Sequence, residues 1–149
     1  MKKTAVLDGK QSLSTLELKD SLGWENELAV FREIDMINKP INRYEYVMKD
    51  GIPDTKSNLS IKSVTTTDTK LPVEYIQLFY HQVPQKIKRI EAHFRESNSL
   101  YTSSRYLTLE FQEIHEEPIL THYTIRGGQK MFMSDSVQYT IQASITIPD

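Results

Sequence analysis

No cysteine occurs anywhere in the 149 residues, which removes disulfides, thiolate nucleophiles and zinc–thiolate sites together. Long apolar runs are missing as well. No stretch approaches the roughly 18 consecutive apolar residues of a membrane-spanning helix, so the sequence reads as a soluble chain. Neither sign of charge is in excess. A net charge of -2 and a pI near 6.1 leave no overall field to draw in phosphate backbones, so nucleic acid is disfavoured as a partner. The opening Met1-Lys2-Lys3 has the basic start of an export signal. However, Asp8, Gly9 and Lys10 stand where an apolar core of about 7 to 15 residues would be needed, so no export signal is read.

Catalytic motifs are equally scarce. No Gly-x-Ser-x-Gly elbow is present to expose a nucleophile, and no glycine-rich loop to cradle a phosphate. No histidine pair falls one turn apart on a predicted helix, so no metal and no cofactor is expected. His81, His93, His115 and His122 read as solvated strand residues, with convergence of His93 and His122 across strands as the one route to a shared site. Glu113, His115, Glu116 and Glu117 read as a charged hairpin end. Ser134-Asp135-Ser136 reads as a turn rather than part of a triad. Lys86, Lys88 and Arg89, with Phe94 and Arg95 beyond them, are offset by Glu91 and Glu96 and read as a solvated face.

What is present is an ordinary globular composition, 38% hydrophobic and 26% charged, in a chain long enough to bury roughly 70% of its unfolded surface. Residues 1–12 are polar and without period and read as a flexible tether, leaving residues 13–149 as one globular domain. Ser14-Thr15-Leu16-Glu17 fits a capping box opening a short helical turn that Gly23 interrupts. Trp24, Leu28, Phe31, Ile34 and Ile37 then recur at helical spacing, and Pro40 ends that amphipathic helix.

Beyond Asn42 the period drops to 2, the mark of strands with one buried face. Strands are expected over Arg43 to Lys49, closed by the turn pair Asp50-Gly51, and over Leu59 to Thr66 and Val73 to His81. Lys86 to Glu96 fits either period, and its neighbours favour a strand. Leu107 to Gln112 and Ile119 to Arg126 form a hairpin through His115-Glu116-Glu117-Pro118. Gly127-Gly128 supplies a tight turn into Lys130 to Met133, and Val137 to Ile147 alternates throughout. The fold class is α+β and mostly β: an antiparallel meander of seven or eight strands covered by the N-terminal amphipathic helix. A barrel, a half-barrel and an open curved sheet all satisfy this pattern.

Eight tyrosines, five phenylalanines and Trp24 stand out in so small a domain. Trp24, Phe31, Phe94, Phe111, Tyr123 and Tyr139 fall on apolar phases, where they either pack the core or line a cavity for an apolar or sugar-like ligand. The helix carrying Gly23-Trp24-Glu25-Asn26-Glu27, followed by a long meander such as Arg105-Tyr106-Leu107-Thr108-Leu109-Glu110-Phe111-Gln112, resembles the mature domains of cell-envelope lipoproteins from Bacteroidota-type bacteria. In layout it is more distantly similar to the outer-membrane lipoprotein carriers, whose half-barrel holds an acyl chain against internal helices. The resemblance implies a cell-envelope or periplasmic location, with membrane attachment only through a lipid anchor outside this chain. The resulting expectation is a non-enzymatic domain that binds an apolar or amphipathic small ligand between sheet and helix, or an envelope protein. The alternative is a protein–protein interaction module without a cavity, docking through a sheet edge.

Overall fold

The computed structural model describes residues 1–15, 21–28 and 46–146. Nine strands form one open antiparallel sheet in the order β2-β1-β9-β8-β7-β6-β5-β4-β3. They are β1 (Lys2–Leu7), β2 (Lys10–Thr15), β3 (Val47–Pro53), β4 (Ser60–Thr65), β5 (Val73–Tyr80), β6 (Ile87–Ser97), β7 (Tyr101–Ile114), β8 (Glu117–Met131) and β9 (Ser136–Ser144). From β3 to β9 each strand pairs with the next, as short turns dictate. The N-terminal hairpin instead returns to pair β1 with β9, and β2 and β3 end up as the two sheet edges.

Period-2 alternation sends two kinds of residue to two faces. Val64, Ile76, Ala92, Leu107, Ile125, Ile141 and Ala5 stand directly opposite one another on successive strands, forming an apolar row across the sheet. Val73, Phe94, Tyr123 and Ala143 join this row in the buried core, with Met1, Leu28 and Tyr46 packed against it. One residue out of phase, Tyr75, His93, Tyr106, Arg126 and Thr140 make the corresponding row on the polar face.

Several expectations are corrected. The stretch expected as a tether carries β1 and the first half of β2, and Ser14 and Thr15 lie in β2 rather than at a helix cap. Asp8-Gly9 turns that hairpin with both φ angles positive, 47° and 84°, the geometry for which Asp-Gly is suited. Asp50-Gly51 closes no strand, because β3 runs through it as a bulge between Lys49 and Ile52. Gly127-Gly128 makes no turn either: β8 continues unbroken to Met131, merging two expected strands. Adding the N-terminal hairpin and merging those two turns an expected eight strands into nine. The His115-Glu116 turn is as expected, with positive φ at both residues.

Helix α1 covers Ser21–Glu27 and includes Gly23 within it. Tyr123 on β8 donates a hydrogen bond to the Glu27 carboxylate, and Lys3 on β1 donates to the same oxygen at 2.7 Å. These bonds hold the end of α1 on the apolar face, where Leu28 packs. The remainder of the expected amphipathic helix, with Phe31, Ile34 and Ile37, lies outside the described residues, and no helix spanning the face is seen among those described.

Candidate functional site

The six aromatic residues expected to gather around a ligand fall in different places. Trp24 is half-buried on α1, and Phe31 lies outside the described residues. Tyr123 is 2% exposed within the core. Burial, followed by its hydrogen bond to the Glu27 carboxylate, pushes its hydroxyl well above the usual tyrosine value. Burial would likewise raise Glu27, but hydrogen bonds from Lys3 and Tyr123 outweigh it and hold that carboxyl below its usual value. Tyr123 therefore pins a helix to the sheet. Phe111 is half-buried opposite Leu120, outside the main core cluster.

Phe94 and Tyr139 do belong to one neighbourhood. Phe94, Arg105, Gly127 and Tyr139 are direct cross-strand partners on β6 to β9. The Arg105 guanidinium lies 4.6 Å from the Phe94 ring centroid, where the ring quadrupole attracts the cation. The Tyr139 ring lies over Gly127, so that a β-carbon there would come within 2.7 Å of it. Beside Tyr139 and Arg105 a recess of about 330 Å³ opens on the apolar face, with Tyr101, Met131, Ser103, Gln129 and Glu96 as its other walls. The Tyr101 hydroxyl is raised by its hydrogen bond to the Glu96 carboxylate.

The recess adjoins an apolar tip. Leu100 in the β6–β7 turn is 65% exposed, and Met131, Phe132 and Met133 at the β8–β9 turn are 53%, 70% and 89% exposed. A hydrogen bond of 2.6 Å from the Phe132 amide to the Leu100 carbonyl ties the two turns together. Met133 has a positive φ of 60°. Large apolar side chains side by side on a protruding tip are unusual on a soluble surface.

The polar face carries a second arrangement. His93 is buried, and its Nδ1 meets Glu74 Oε2. Its Nε2 lies 2.7 Å from Ser104 Oγ. Tyr106 stacks on the imidazole at 4.2 Å between centroids with planes 7° apart, and Tyr75 flanks it at 6.0 Å. Glu74 reaches this face because a bulge between Val73 and Tyr75 shifts the register, and a bulge re-aims the side chains beside it. Arg95 Nη1 lies 3.4 Å from the other Glu74 oxygen. Ser104 borders a groove of about 270 Å³ whose walls include Tyr106, Arg126 and Thr140. The groove stays open beside Ser104 because its cross-strand partner, Gly128, has no side chain.

Lys88, Arg89 and His122 have local partners. Lys88 pairs with Glu113 at 3.9 Å. Arg89 pairs with Glu91 at 3.0 Å and lies over the Phe79 ring at 4.2 Å. His122 contacts Thr121 Oγ1 at 3.1 Å, apart from His93. Among the described residues no three His, Cys, Asp or Glu side chains are grouped to hold a metal ion, and no helix is long and apolar enough to cross a membrane. Comparison with known protein families, curated proteins and solved structures found no match to this chain.

Proposed function

We propose that the domain binds an amphipathic small molecule of the lipid class in the recess beside Tyr139 and Arg105, taking it from a lipid surface that the apolar tip touches. The observation that carries this reading is the continuity of tip and recess: Met131 belongs to both, and Tyr101, another wall, follows Leu100 in sequence. Each large apolar side chain buried from water contributes roughly 1.5–3 kcal/mol, so four of them suffice for reversible contact with an acyl layer. Tyr139, Tyr101 and Met131 supply the apolar walls, and Arg105, Gln129 and Glu96 supply polar groups for a head. The cell-envelope location implied by the resemblance belongs to this proposal.

The test is sedimentation of the full chain with phosphatidylcholine vesicles, together with titration by a fluorescent fatty acid. Wild-type protein sediments and takes up the fatty acid, and the double variant F132S/M133S loses sedimentation while keeping its fold. Absence of both vesicle contact and uptake in the wild type overturns the reading. A second reading rests on β2, whose six residues are all exposed along a sheet edge. A free edge recruits a partner strand, and concentration-dependent association without lipid uptake would favour it.

A further inference from the structure

We propose that Glu74, His93 and Ser104 form an acyl-transfer site on the polar face, with Ser104 as nucleophile and short-chain carboxylic esters as the substrate class. The three side chains are joined in the order such chemistry needs. A carboxylate only accepts, so the proton of the neutral imidazole sits on Nδ1 toward Glu74. Nε2 is then the acceptor, and the Ser104 hydroxyl donates to it at 2.7 Å. This is the tautomer in which a histidine acts as general base toward a serine. The ring is held in orientation from several sides: by Glu74, itself contacted by Arg95, and by the Tyr106 and Tyr75 rings.

Space and charge are present where the reaction needs them. The Ser104 hydroxyl borders a groove kept open by Gly128. Arg126, whose guanidinium lies 5.3 Å from the Tyr106 centroid, lines the same groove. The backbone amides around Ser104 are committed to the β6–β7–β8 ladders, which assigns stabilisation of the oxyanion to the Arg126 cation.

The chemistry balances without a cofactor. Ser104 Oγ forms a bond to the ester carbonyl carbon as its proton passes to His93 Nε2. The carbon–alkoxy bond then breaks, and the alkoxide leaves with that proton as an alcohol. Water, deprotonated by the same nitrogen, attacks the acyl-serine. The carboxylic acid departs, and the proton returns to Ser104. Glu74 is a positioning residue, stabilising the imidazolium as it forms.

The full chain is incubated with a fluorophosphonate probe, and the adduct is located by intact mass and peptide mapping, with melting temperature followed in parallel. One adduct per chain, on Ser104, is expected. Ser104→Ala removes it. His93→Gln slows labelling on the order of 10²-fold. Glu74→Gln slows labelling without unfolding and changes its pH profile. No adduct on Ser104 in the folded wild type, labelling spread over many serines, or an unchanged rate in a folded His93→Gln or Glu74→Gln variant overturns the proposal. In those cases the trio is a hydrogen-bonded brace.

Discussion

Gly127 and Gly128 are neighbours on β8, yet each serves a different face. At Gly127 the missing side chain lets the Tyr139 ring close onto the backbone, completing the apolar layer between Arg105 and the core. At Gly128 the missing side chain is not filled, and the groove beside Ser104 results. The same local absence gives close packing on one face and accessible space on the other. The contrast extends to the whole sheet: one face carries the buried apolar core, and the other carries the hydrogen-bonded cluster of Glu74, His93 and Ser104.

Truncation at the centre of the apolar row tests that contrast most severely. Leu107 is 2% exposed among Ala92, Ile125 and their neighbours, so Leu107→Ala should lower stability in urea by about 2–5 kcal/mol. Tyr123→Phe should cost about 1.5–3 kcal/mol, because it deletes a hydrogen bond to a carboxylate at the sheet–helix contact. It should also alter the pH dependence. The Tyr123 hydroxyl is raised, so its contribution is complete below the ordinary tyrosine value of 10.0 and is lost as pH climbs through the raised folded value. Glu27 is lowered, so its contribution is present above the ordinary carboxyl value of 4.5 and is lost as pH falls through the depressed folded value. Melting curves of Tyr123→Phe should lack the alkaline decline owed to this residue and show a smaller acid one.

The two glycines give a matched pair. Gly127→Ala places a β-carbon 2.7 Å from the Tyr139 ring and 2.9 Å from the Ser104 carbonyl oxygen, and should cost about 1–3 kcal/mol. Gly128→Ala meets its nearest neighbour, the Val137 carbonyl oxygen, at 3.4 Å, an ordinary contact, and should be the milder of the two. Equal losses in chemical denaturation would break the distinction between the faces. The smallest effect belongs to Gln142→Ala on the exposed phase of β9, within about 0.5 kcal/mol by the same measurement.

Much of the sheet is legible in the sequence because alternation is a local signal. Val137, Tyr139, Ile141 and Ala143 point to the side that their spacing predicts, and β6 is a strand despite its mixed periodicity. The β1–β2 hairpin is less legible, since β2 is exposed throughout and Ala5 carries the apolar row into β1 with a single small side chain. Asp8-Gly9 carries the turn signal that would have revealed it. A glycine pair is ambiguous in the same way, marking a turn or a close approach within a strand according to partners far along the chain. Sequence phase alone marks the aromatic candidates. Phase selects Phe94, Phe111, Tyr123 and Tyr139 alike, but only cross-strand register separates the pair beside Arg105 from Tyr123, whose hydroxyl is bonded to α1. The His93 cluster is hidden for a related reason: it depends on a bulge at Glu74 and on a diagonal reach from β6 to β7.

Ligand capture by the apolar face is tested most directly by native mass spectrometry of the purified full chain beside a solvent-extracted sample. Binding in the recess predicts an added mass of lipid size that extraction removes, and that a Tyr139→Ala variant with an intact fold does not carry. A wild-type protein that shows its bare mass in both samples, and still shows it after incubation with fatty acid and phospholipid, would contradict the account.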